Sequence, residues 1–136
     1  MEDYAAEAER VMKALKERDE RHEGRLVTTS QLRRFLTAVN NISGKLMRWR
    51  NETGGQEQEL PESLAAEISY LWVKLAYQIG RAGPADERRN PVFAFAKEAG
   101  LEKKIKAVGR EAAKYEGFAS YMEALVAFHK FYGGRD

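Results

Sequence analysis

Six cations and two tyrosines carry the pattern in this chain that points to chemistry. Advancing about 100° per residue, Arg33, Arg34, Lys45 and Arg48 fall on one polar arc, with Thr37, Asn40 and Asn41 between them. Further on, Tyr70, Lys74, Tyr77 and Arg81 follow one another at i, i+4, i+7 and i+11, with Gln78 beside them. Guanidinium and ammonium groups neutralise phosphates, and hydroxyl and amide donors suit phosphate and 2′-hydroxyl oxygens. Aromatics interleaved with bases offer a stacking surface. The chemistry these residues fit is therefore the holding of a polyanion, not bond making.

The charge distribution sharpens this reading. Net charge is only +2, although 32% of residues are charged. Residues 1–23 hold eight acids and five bases, and Glu52 to Glu67 holds five acids and no base. Between them, Gly24 to Asn51 is 28 residues with six basic side chains (Arg25, Arg33, Arg34, Lys45, Arg48, Arg50) and no carboxylate. An acid there would pair with the arginines or repel an external anion. Such a run can also be an ordinary solvated helix face. The following stretch, Ile68 to Ala85, carries only Lys74 and Arg81 as charges, and two acid-free segments side by side favour a shared basic surface.

Helices must position these residues. Apolar residues recur at helical spacing almost throughout. A charged first helix covers about 3–22, with Tyr4, Ala8, Val11, Met12 and Leu15 on one side. Glu9, Lys13, Lys16 and Glu17 read there as i,i+4 surface pairs. Thr28 and Gln31 form a capping box for a second helix running to about Trp49, and Val27 with Leu32 can form its hydrophobic staple. Leu32, Phe35, Leu36, Val39, Ile42, Leu46 and Trp49 make its apolar arc. An acidic loop, Asn51 to Glu59, precedes a third helix from Pro61, at its first position, to about residue 82. Its stripe is Leu64, Ile68, Leu71, Trp72, Leu75 and Ile79. Asn90-Pro91 caps a fourth helix that Gly100 ends, Leu101 to Val108 forms a fifth, and Lys114 to Tyr132 a sixth. The last carries Tyr115, Phe118, Tyr121, Phe128, Phe131 and Tyr132, a stripe that reads as core or interface. The expectation is an all-α bundle of five to six helices forming a single domain over residues 1–136.

Catalytic chemistry finds little support. There is no cysteine, and the two histidines, His22 and His129, are far apart. No thiolate site can be built, a His-rich metal centre is not expected, and neither is any other metal or cofactor. No phosphate-loop, dinucleotide, zinc-protease, hydrolase-elbow or calcium-loop spacing occurs. No apolar run approaches the roughly 20 residues that span a bilayer. The acidic start, Met1-Glu2-Asp3-Tyr4, lacks signal-peptide order, so a cytoplasmic location is expected.

Three segments add a resemblance. Thr28-Thr29-Ser30-Gln31-Leu32-Arg33-Arg34-Phe35-Leu36, Lys74-Leu75-Ala76-Tyr77-Gln78-Ile79-Gly80-Arg81 and the sequence Tyr121 to Gly134 (YMEALVAFHKFYGG) resemble, in order, motifs of the small subunit of type III-A CRISPR effector complexes, the second protein of the Csm set. The third motif is the specific one. The chain departs from the family at Phe128, where a tyrosine is expected, and in the insertion Gly83 to Asn90. The resemblance implies a non-catalytic helical subunit that stacks in several copies beside other Csm subunits, both the backbone subunits and the large signature subunit. It implies binding of target RNA or the crRNA–target RNA duplex without sequence preference, in antiviral defence. The family's basic residues map by motif onto Arg33, Arg34, Lys74 and Arg81, while Lys45 and Arg48 come from the helical arc alone. The alternative is a helical assembly module whose arginines meet the acidic Glu52 to Glu67 stretch of another copy.

Overall fold

Helix boundaries follow local backbone chemistry. The structure, a computed structural model, describes residues 3–135. It contains six helices: α1 (Tyr4–Glu20), α2 (Thr29–Thr53), α3 (Glu62–Ala82), α4 (Pro91–Ala99), α5 (Leu101–Val108) and α6 (Ala112–Phe131). The architecture is all-α, as the periodicity predicts. The Thr28 capping box forms in full: Thr28 Oγ1 accepts from Gln31 N at 3.1 Å, and Gln31 Oε1 accepts from Thr28 N at 2.9 Å. Val27 and Leu32 are both buried beside it.

Several boundaries differ from the expected ones. Helix α2 continues four residues past Trp49, because nothing breaks it before Gly54, which closes it in the left-handed conformation at φ 80°. Pro61 is the extended N-cap of α3, with ψ 152°, not its first helical residue. Helix α6 starts at Ala112, two residues early. The ion pairs expected among Glu9, Lys13, Lys16 and Glu17 do not form among the described residues. Glu9 instead accepts the Tyr132 hydroxyl at 3.0 Å.

One hydrophobic core draws on all six helices. Helix α1 packs along α6, which also contacts α2 and α5, while α3 lies against α2, α4 and α5. Leu71, Leu125 and Met122 are fully buried, each contributing about 1.5–3 kcal/mol relative to exposure. Leu36, Trp49 and Trp72, expected inside, are only half-buried because they sit at the edges of their apolar arcs. Of the six aromatics of the expected stripe, α6 carries five, Tyr132 being its C-cap, and Phe131 is 75% exposed in the last turn.

The buried side chains of Tyr115, Tyr121 and Asn90 donate to backbone oxygens, which offsets their desolvation. Tyr115 donates to Val39 O at 2.7 Å, and burial pushes its phenol up to about 12 despite the opposing bond with Ser43. Tyr121 donates to Ala99 O at 2.9 Å. Asn90 accepts from Phe93 N at 3.0 Å and donates to Ile79 O at 2.8 Å and Gly83 O at 3.1 Å, so one side chain joins the end of α3 to the start of α4. The loop between α3 and α4 folds back on α1 and α4. Arg18 Nη2 donates to Glu87 O and Glu23 O, both at 3.3 Å, and Lys97 pairs with Glu87 at 2.8 Å. At the opposite end, residues 58–60 are pinned to the α5–α6 corner. Leu60 N donates to Arg110 O at 2.7 Å, Ala112 N to Gln58 O at 3.0 Å, and the Arg110 guanidinium to Leu60 O at 2.6 Å.

Candidate nucleic-acid interface

Helices α2 and α3 run antiparallel, and two polar bonds set their register. Gln78 Nε2 donates to Gln31 O at 2.6 Å, and Lys45 pairs with Glu67 at 2.6 Å. Moving from the first bond to the second advances α2 while α3 retreats. Arg34 therefore comes level with the Lys74–Tyr77 stretch, and Arg48 level with the start of α3.

The same bonds fix which flank each side chain occupies. Gln31 and Lys45 mark the side of α2 that meets α3, while Ser43 and Arg50 mark the side that meets α6. With about 100° between neighbours, Arg34 leans toward the α3 seam and Arg48 faces straight outward. Arg33 turns to the far flank. On α3, Tyr70 and Lys74 stand three and seven residues after Glu67, and Arg81 three after Gln78, all beside residues that touch α2. Arg34, Lys45, Lys74 and Arg81 thus gather along one seam with Tyr70 and Tyr77.

Exposure and pairing separate the six cations. All six are exposed. Arg33, Arg34, Arg48, Lys74 and Arg81 make no ion pair among the described residues; Lys45 does. The Lys45–Glu67 pair joins helices at residues 22 apart in sequence, so no local pattern announces it. It is half-exposed and adds at most about 1 kcal/mol, yet it lowers the charge available at that point of the seam. Tyr70 and Tyr77 are 57% and 69% exposed, which is unusual for tyrosines that merely edge a core. The Arg81 guanidinium lies 6.0 Å from the Tyr77 ring centre, within cation–π range.

The surface that results has side chains free to meet a phosphate backbone and rings free to stack. Nothing in it resembles a reaction centre. Among the described residues, no group of three or more acidic or histidine side chains is placed to hold a metal ion. His129 is buried with Nε2 2.6 Å from Val27 O, a structural contact. No helix among the described residues is long and apolar enough to cross a membrane.

The molecule is thus a small all-helical protein with a basic two-helix surface. Its affiliation is specific: a family model described as Csm2 Type III-A matches residues 2–135, and the chain belongs to that family, the small subunits of type III-A CRISPR complexes. A Streptococcus thermophilus protein named CRISPR system Cms protein Csm2 is 31% identical over 99% of this chain and 95% of its own length. Its namesake from Enterococcus italicus is 33% identical over 78% of this chain and 68% of its own length. The Mycobacterium tuberculosis namesake is 29% identical over 99% and 95%.

Proposed function

We propose that the α2–α3 surface holds the sugar-phosphate backbone of target RNA, or of the crRNA–target RNA duplex, without reading its sequence. In this reading the chain is a non-catalytic, single-domain cytoplasmic subunit. Several copies stack beside the other Csm subunits, and pairing with the guide supplies all sequence information, a division of labour known for RNA-guided effectors. The observation that carries it is the group of exposed, unpaired cations on adjacent antiparallel helices, with two exposed tyrosines among them. One copy offers few phosphate contacts and binds weakly; linked copies add their contacts through effective concentration.

Replacing Arg33, Arg34, Lys74 and Arg81 with Ala in every copy tests this. Target capture by the reconstituted complex weakens, and the slope of log affinity against log salt falls by roughly 0.7 for each phosphate of a single strand left without its cation. Unchanged affinity with an unchanged slope refutes it. Because Arg33 faces the far flank, restoring it alone returns less affinity than restoring Arg34.

A second reading, a pure assembly module, draws on the exposed acidic stretch of residues 51–59, the last turn of α2 and the loop after it, and on the Lys45–Glu67 pair, in which one of these cations accepts a carboxylate as partner. Charge reversal at Arg33 and Lys74 separates the two. If it disperses the copies but spares RNA affinity per assembled copy, the assembly reading holds.

A further inference from the structure

Away from the α2–α3 seam, a cleft of about 720 Å³ opens where α1 ends and α2 begins. Segments distant in sequence line it. The end of α1 supplies Lys16, Asp19 and Glu20, the following loop Arg25, the α3–α4 loop Arg88, and the C-terminal segment Arg135. None of the four cations makes an ion pair among the described residues, and Arg25, Arg88 and Arg135 are exposed. Thr28 also lines the cleft, bringing in the positive end of α2.

The walls are held in place before any ligand arrives. Arg18 bonds the 21–28 loop to the α3–α4 loop through Glu23 O and Glu87 O. Thr29 N donates to Arg135 O at 2.7 Å, fixing the C-terminal segment against α2. Gly24, at φ 153°, lets the loop backbone approach Glu87, since a Cβ there would stand 3.1 Å from its carbonyl oxygen. The volume lies within the range of about 300–1,000 Å³ typical of small-ligand sites.

We propose that this cleft binds a ribonucleotide unit. The cations take the phosphate, through hydrogen bonds that guanidinium groups make in pairs. The two carboxylates, which a site for bare phosphate would not retain, accept ribose hydroxyls, as acidic residues do in other nucleotide sites. The site is separate from the α2–α3 surface and does not depend on its function.

The test is a calorimetric titration of the full-length protein with AMP, dAMP, inorganic phosphate and a short oligoribonucleotide at fixed ionic strength. AMP or the oligoribonucleotide saturates the protein. Replacing Arg25, Arg88 and Arg135 together with Ala weakens that binding at least tenfold, whereas replacing Arg34, Lys74 and Arg81 does not. The ribose analogue binds more tightly than the deoxy one, and D19A/E20A erases the difference. Saturation by AMP identifies a free nucleotide as sufficient, and saturation by the oligomer alone identifies a strand; both support the site. Absence of saturable binding, or equal binding by the Arg25/Arg88/Arg135 variant, overturns it. So does a variant that changes only sedimentation, because the cleft then receives an acidic segment of a second copy. The three arginines are exposed, so helical circular dichroism of the variant stays at the wild-type level.

Discussion

His129 joins the C-terminal helix to the segment before α2, with its Nε2–H donating to Val27 O at 2.6 Å. Burial holds the imidazole below its ordinary 6.5. The Val27 bond opposes that shift, and the Lys130 charge adds to it. The unfolded chain therefore takes up a proton in a pH range where the folded chain does not, and stability falls with acidification. Thermal unfolding followed from pH 7.5 to 5.5 should show the wild-type midpoint dropping from about pH 6.5 downward, with His129→Gln showing a flatter dependence. A wild-type midpoint independent of pH across that range contradicts the assignment. A packed histidine is legible in the sequence, because no second ligand or carboxylate accompanies it. Its partner is not, since Val27 lies 102 residues away.

At the level of elements, helix starts are the most legible feature, because a capping box or an Asn-Pro pair is a local chemical statement. Removing the Thr28 hydroxyl as Thr28→Ala strips Gln31 N of its acceptor and costs about 1 kcal/mol, measurable by denaturant unfolding. The same change at Ser30, exposed and outside the cap bonds, should be near neutral. Helix ends are less legible. The extra turn of α2 depends on where Gly54 enters the left-handed region, and three polar or charged residues before it, Asn51, Glu52 and Thr53, look equally like loop. The edges of apolar arcs are also obscure. Leu36, Trp49 and Trp72 obey the helical period, but how far a neighbouring helix covers them depends on packing that the period does not encode.

Over the whole molecule, the basic surface is legible as composition but not as geometry. Periodicity places Arg33 and Arg34 together on a polar arc, whereas the α2–α3 register assigns them to different flanks. Lys45 looks uncompensated until α3 brings Glu67 beside it. The cleft at the α1–α2 end is invisible in the sequence, because Lys16, Arg25, Arg88 and Arg135 share no period and meet only through the folded loops. The pinned segment at the other end has its own consequence. Because residues 58–60 are bonded to the α5–α6 corner, the exposed 54–57 stretch forms a short tether between the end of α2 and that anchor. A Glu-specific protease should nick it after Glu57 while sparing the helices. The fragments 1–57 and 58–136 should stay together through gel filtration, since α1 and α2 from the first are packed on α6 and α3 from the second. If they co-elute, the chain can be supplied as two separately made halves that reassemble, giving a place to insert a reporter without disturbing the basic surface.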